Sequence, residues 1–425
     1  MSGLKRTIGG SVALVVVGVL LAACGSSSSS SSSSTSAASS SSAGASPSAS
    51  SSPVAAGACG TIPTQMPADP DGVLAKLPAS IRANYDLMTG SVYASAYANW
   101  KPTHKPPYTI YFSPGNTSTP YIQSMMAELN QLQAQSKGEI SKVIVQDSNN
   151  SLQTQIQQIQ EAVRSHVDIM IVLPLSPSGN LPEDVAAGKA GIPVIEPLNS
   201  ALSPYVIGFA GNIEYQGAKM VQSLVQILHE KGNVLDVQGI PGVLANDGVF
   251  AGANLVLKKC PNIKTVGSVV GQFVPTVAKA QVLEFLASHP QPVDAAIQTG
   301  GMATGIMQAF VQTGRTVPAI ADQGATPGAL AYWNQHKSTY DMVANAIPPA
   351  QSAQAAWTLA SGLLQRRGMK ISDIEQAPVL VTSSNLAQWV EPSWTLQTPI
   401  AYAPGPPNAL YPASYLEQFF AKPPS

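Results

Sequence analysis

"VIVQDSNNSLQTQIQQIQEAVRSHVDIMIVLPLSPSGNLPEDVAAGKAGIPVIEPLN", Val143–Asn199, changes its period twice. A β-branched run at Val143–Val145 gives way to the turn formers Asp147, Ser148, Asn149 and Asn150. Leu152, Ile156, Ile159 and Val163 then recur at steps of four, three and four, which is one face of a helix. A second apolar run follows in "DIMIVLP", and a third in "IPVIEPL" after another helical stretch. Short apolar runs separated by crossover helices imply parallel strands joined in βαβ units. The glutamines of the first helix are expected to face water, opposite its apolar stripe.

The same phrase recurs on both sides. "YTIYFSP" and "SKVIVQDS" open the series, and "GNVLDVQG", "IKTVGSVVG", "VDAAIQTG" and "TVPAIADQG" extend it to eight runs. They fall into two groups of four, with the break near "SPYVIGFAGNIEYQGAKMVQSLVQILHEKG", Ser203–Gly232. The expected fold class is therefore α/β, with two open parallel-sheet lobes. A ligand would lie between them, at the carboxyl ends of the strands, where the polar residues collect.

Composition agrees with a large globular body carrying an attachment. Of 425 residues 44% are hydrophobic and 11% charged, and the formal net charge is -1, which gives no reason to expect a nucleic-acid partner. Lys5 and Arg6 precede an uncharged stretch from Thr7 to Ala23, the pattern of a secretory leader. Leu21-Ala22-Ala23-Cys24 resembles the lipobox of bacterial lipoproteins, which implies acylation at Cys24. The stretch is short for a membrane span, which needs about 20 apolar residues. Residues 24–57 are rich in serine, alanine, glycine and proline and lack apolar surface to offset ordering, so they read as a flexible tether of roughly 30 Å reach. With Cys24 acylated, Cys59 and Cys260 remain as an even pair in an oxidising compartment, so a disulfide between them is expected; two buried thiols are the alternative. The expected location is extracytoplasmic, lipid-anchored to a bacterial cell membrane by the N-terminus alone.

From Tyr108 to Ser383 the order of strands, the spacing and several local phrases together resemble the sugar-binding type I periplasmic binding proteins of ABC transporters. The resemblance is carried by the stretch quoted above and by "GNVLDVQGIPGVLANDGVFAGANLVLKKCPNIKTVGSVVGQFVPTVAKAQVLEFLASHP". The lac repressor family shares the two lobes but begins with a DNA-binding helix-turn-helix, where this chain has a secretion signal. The resemblance implies a first lobe from 106–208 and 346–378 and a second from 209–345 and 379–395. It implies a three-strand hinge, with crossings near Ile207 and Gly208, near Asn345 and Ala346, and near Val379–Thr382. An extension at 58–105 and a tail at 396–425 lie outside it, with no function expected for either.

The resemblance also implies ligand-binding positions. Asn116 and Tyr121 match the family's asparagine and first stacking aromatic, while Ile122 replaces the second. Glu196 and Asn199 stand where relatives carry Asp-Arg. Asn246, or Asp247 beside it, replaces an arginine, and Phe273 keeps the aromatic of the other face. Gly300 and Gly301 replace an Asn-Asp pair, leaving Gln298 just before them. Asp322 or Gln323 stands at the eighth-strand aspartate, and Asn345 at a glutamine near the hinge.

Aromatic plates and amides suit the apolar faces and hydroxyl rim of a sugar or other neutral polyol, whereas an anion would want the missing arginines. Tyr121 and Phe273 also fit ordinary core packing, and the three asparagines fit turns. Catalysis finds no support: the five histidines are scattered, and HExxH, GxSxG and phosphate-loop spacings are absent, as is any metal or redox cysteine cluster. No cofactor is expected. The expected partners are a sugar-like ligand and an ABC transporter permease, with a sensor kinase or chemoreceptor as the alternative to the permease, and the expected state is a monomer.

Overall fold

The computed structural model describes residues 58–423. The leader, Cys24 and the tether lie outside the described residues. A short helix α1 (Ala79–Arg82) belongs to the N-terminal extension. The first lobe then runs β1 (Tyr108–Ser113), α2 (Pro120–Gln135), β2 (Ile140–Val145), α3 (Leu152–Arg164), β3 (Ile169–Val172), α4 (Pro177–Lys189), β4 (Val194–Pro197) and β5 (Val206–Phe209). The chain crosses to α5 (Ile213–Ile227), β6 (Gly232–Gln238), α6 (Leu244–Leu257), β7 (Ile263–Val270) and α7 (Pro275–Ser288). β8 (Ala295–Gln298), α8 (Ala303–Gln312), β9 (Ala319–Gln323), α9 (Pro327–His336) and β10 (Val343–Asn345) complete that lobe. α10 (Pro349–Leu364) and β11 (Asp373–Ile374) return to the first lobe, β12 (Leu380–Val381) to the second, and α11 (Ala413–Leu416) lies in the tail.

All eight expected strands form, four in each of two sheets. Each sheet nevertheless has six strands, in the orders β11-β5-β4-β3-β1-β2 and β12-β10-β9-β8-β6-β7. The four additional strands are short, two to four residues each. Pairing is parallel except at β12, which runs antiparallel to β10. β1 lies between β2 and β3, with Tyr111 opposite both Ile144 and Met170.

Strands buried on both faces need no alternation, and β3, β4 and β8 are buried at every position. Ile110, Phe112, Ile169, Ile171 and Ile195 pack on one side of the first sheet with Met125 of α2 and Leu359 of α10. Tyr111, Met170 and Val194 pack on the other with Ile159 of α3 and Ala187 of α4. The second sheet is covered by α5 and α6 on one face and by α7, α8 and α9 on the other. In α3 one expectation fails. Gln155 is fully buried, because Ser113 and the backbone after β3 offer its amide more hydrogen bonds than an apolar residue could replace.

Three crossings join the sheets, after β5, after β10 and after β11. The first and third are tied to one another. Oε1 of the buried Glu375 accepts from the backbone N–H of Gly211 at 2.9 Å and Asn212 at 3.1 Å. The Tyr411 hydroxyl accepts from the N–H of Ala210 and of Gln376, both at 3.0 Å. The extension is fastened at both ends: a disulfide joins Cys59 to Cys260, 201 residues away beyond α6, while the Tyr85 hydroxyl donates to the Asp373 carbonyl in the first sheet at 2.8 Å.

Candidate functional site

A cavity of about 140 Å³ lies between the lobes, where the carboxyl ends of both sets of strands meet. The first lobe gives it Asn116 and Tyr121 from the turn into α2, Asn150 after β2, and Leu173, Leu175 and Leu198 after β3 and β4. The second lobe gives Ile240 and Val243 before α6, Phe273 after β7, Gly300 after β8 and Gln323 at the end of β9. Ile347 at the second crossing and Tyr402 from the tail close it. No side chain in this wall carries a charge.

Asn116 shapes its own turn. Its Oδ1 accepts from the N–H of Ser118 and Thr119, its Nδ2 donates to Asn150 Oδ1 at 2.7 Å, and Pro120 then opens α2 with a preset φ. Tyr121 donates its hydroxyl to Ser352 Oγ of α10 at 2.8 Å, away from the solvent, and burial raises its pKa.

Phe273 is held in a strained turn. Gln272 and Phe273 have φ of 56° and 60°, a conformation uncommon for residues with side chains. The ring lies against Gly239 and Gly300: a Cβ at those positions would meet its carbons at 1.9 Å and 2.3 Å. The glycine that replaces the family's polar residue at position 300 therefore makes room for a ring. Gln323 is 2% exposed, and its Oε1 is buried without a hydrogen-bond partner.

The other candidates lie outside this wall and are engaged by protein groups. Asp322 accepts from the N–H and hydroxyl of Thr326 at the start of α9, at 2.8 Å and 3.0 Å, and from Gln298 Nε2; burial nevertheless pushes its pKa up to about 6. Gln298 also donates to the Gln323 carbonyl and accepts from the Met302 N–H. Asn246 accepts from the Gly239 N–H at 2.8 Å and donates to Asp247. Asn345 donates to Gln216 at 2.9 Å and keeps a buried, unpartnered Oδ1 at the second crossing. Glu196 accepts from Asn199 inside the first lobe. Burial and the nearby Asp184 carboxyl hold its pKa well above the usual carboxylate range. Asn199 faces a separate cavity of about 130 Å³, lined also by Leu87 and Met88 of the extension.

The sequence did not single out Gln155 or Tyr402. Gln155 donates to Ser113 Oγ and the Leu173 carbonyl and accepts from the Leu175 N–H and Asn180 Nδ2, at 3.0–3.2 Å, which fixes the loop carrying Leu173 and Leu175. Its one sequence signal is a break in the exposed run of glutamines, too weak to find it. Tyr402 lies in a tail without periodicity.

Among the described residues no group of histidine, cysteine, aspartate and glutamate side chains could hold a metal ion, and no helix is long and apolar enough to cross a membrane. The cavity wall offers apolar contact, aromatic rings and neutral amides.

Residues 110–365 match the family described as periplasmic binding protein domain. The chain is 28% identical over 196 residues to the xylitol-binding protein of Mycolicibacterium smegmatis, covering 45% of this chain and only 55% of that protein. It is 22% identical over 222 residues to the ribose import binding protein of Bacillus subtilis, covering 52% and 71%. A solved ABC transporter solute binding protein from Thermobispora bispora superposes with a TM-score of 0.62 at 28% identity, covering 71% of this chain and 92% of that one. Matched over more than half its length, with both sheets in the order described, the chain belongs to the periplasmic binding protein family.

Proposed function

We propose that this protein is an extracytoplasmic receptor that captures a neutral sugar or sugar-like polyol between its lobes and delivers it to an ABC transporter permease. The observation that carries the reading is the interlobe cavity, which has aromatic rings and amides in its wall and no ionised side chain. Such a wall contacts the C–H faces of a polyol and hydrogen-bonds its hydroxyls without the cost of burying a counter-charge. The names of the relatives, a xylitol-binding and a ribose import binding protein, point the same way. Ligand contacts from both lobes exist together only when the cleft is shut, so binding favours the closed state that a permease would read. Lipid attachment at Cys24, with residues 24–57 as tether, would keep the receptor near its membrane partner without a membrane-spanning segment. Because the family binds solutes without transforming them, no catalytic step is assigned.

Thermal unfolding of the mature protein against xylitol, D-ribose, L-arabinose and myo-inositol tests the reading. At least one is expected to raise the melting temperature and to shrink the radius of gyration in small-angle scattering. A flat response in both measurements across the panel sinks the proposal.

A further inference from the structure

Beyond residue 365, where the family match ends, the chain makes a connection between the lobes that none of the three crossings accounts for. The tail leaves the second lobe where the Leu396 carbonyl accepts from Gln308 Nε2 of α8 and the Ala403 N–H donates to the Ala325 carbonyl. It enters the first lobe where Gln351 of α10 donates to the carbonyls of Pro404 and Pro406 and accepts from the Leu410 N–H. Leu416, Phe419 and Phe420 then join the first-lobe core. At the point of crossing the tail inserts Tyr402 into the cavity wall.

The second lobe is built to receive that ring. A Cβ on Gly301 would stand 2.8 Å from Tyr402 Cζ, closer than real Cβ atoms approach, and one on Gly324 would stand 3.1 Å from its Cε1, tight enough that the ring would have to give. Both glycines also have positive φ, 78° and 138°, so other residues would be strained there in any case. Within the cavity wall the ring meets Tyr121 of the first lobe edge-on, with centroids 5.2 Å apart and planes at 79°. Tyr402 is thus 8% exposed, seated on one lobe and touching the other.

We propose that Tyr402 is a specificity-determining residue of the ligand cleft: the tail delivers it as a wall that sets the upper size of the sugar bound. The proposal rests on the reading of the cleft as a sugar site. The cavity it bounds is only about 140 Å³, so a bulkier six-carbon sugar meets the tyrosine ring before a five-carbon polyol does. Removing the ring would open the wall and remove its contact with the ligand's C–H face at once.

Isothermal titration of the full mature chain with xylitol, D-ribose, D-galactose and D-allose, for wild type, Tyr402→Phe and Tyr402→Ala, decides the matter. Wild type and Tyr402→Phe are expected to prefer the five-carbon probes by tenfold or more. Tyr402→Ala is expected to lose about tenfold on those probes and to reverse or abolish the preference. Tyr402→Leu, which keeps an apolar side chain there but removes the far half of the ring, gives the same readout if Tyr402→Ala does not fold. Probes that bind with an unchanged rank order in Tyr402→Ala or Tyr402→Leu, or a wild type indifferent to size, overturn the role of Tyr402 while leaving the sugar-receptor reading intact. Binding of no probe to wild type overturns both.

Discussion

Gln155, behind the first-lobe wall of the cleft, and Gln323, in the second-lobe wall, are both buried, and they are used in opposite ways. In the first lobe Gln155 is completely satisfied: four hydrogen bonds tie it to β1, to the loop after β3 and to α4. In the second lobe Gln323 is equally buried, yet its Oε1 has no partner. A buried amide oxygen left unpaired costs folding free energy, whereas a paired one contributes modestly. The first lobe therefore offers a wall already held rigid by the protein, made of Leu173, Leu175 and Leu198. The second, with Phe273 on its strained turn and Gln323 unpaired, keeps interactions in reserve for something that arrives. Rigidity sits on one side of the cleft and unused binding capacity on the other.

Breaking the rigid side should cost the most. Gln155→Leu leaves the Leu175 N–H, Asn180 Nδ2 and the Leu173 carbonyl without their partner, and the expected loss is about 3 kcal/mol. Urea unfolding of the apo protein measures it as a lower midpoint at unchanged slope. A loss below about 1 kcal/mol would show that water replaces the amide and that the first-lobe wall is less fixed than the hydrogen bonds imply.

What was legible in the sequence divides along the same line. The eight strands and the first-lobe helices were readable because apolar periodicity reports burial directly. β5, β10, β11 and β12 were not: three of them are only two or three residues long, and β5 lies inside the stretch read as the break between the two groups. Asn116, Tyr121, Phe273 and Gln323 were named by resemblance and line the cavity. Asn246, Gln298 and Asp322 were named by the same argument and bond to protein groups instead. A polar side chain at a strand end either faces the cleft or holds a neighbouring turn or side chain, and the residue type is the same in both cases. Gln155 was misplaced for a related reason, because a glutamine among glutamines shows nothing of its partners. Tyr402 was beyond reach, since its place depends on glycines at 301 and 324 that meet it only in three dimensions.

The lobes should also part in their response to pH, with a smaller effect. Burial raises Asp322 in the second lobe to about 6 and Asp373 in the first-lobe sheet to about 8. A carboxyl raised in the folded state holds its proton more tightly there than in the unfolded chain. Its contribution to stability is complete below about pH 4 and disappears as pH rises through the folded value. Apo stability is therefore expected to fall as pH rises from 5 to 8, and above pH 6 only the first-lobe group of these two still titrates. Asp373→Asn, which keeps an acceptor for the Ala201 N–H, should make the fall shallower throughout, and above pH 6 by a larger share than below it. Melting temperatures in a buffer series check this; an unchanged slope above pH 6 assigns the loss to other groups.

The smallest effect on folding sharpens the comparison most. Gln323→Leu removes an unpartnered buried oxygen, so the apo protein should be unchanged or up to about 1 kcal/mol more stable, the opposite sign to Gln155→Leu. The variant's affinity for whichever of xylitol or D-ribose binds wild type should drop by about tenfold, because a ligand hydroxyl loses the amide it would satisfy. Urea unfolding and titration calorimetry on one preparation separate the two quantities. If Gln323→Leu destabilises the apo protein as Gln155→Leu does, both glutamines are structural and the division between a rigid lobe and a receptive one fails. If stability holds and affinity falls, the strain and the unpaired oxygen on the second lobe are the part of the folding free energy set aside for ligand.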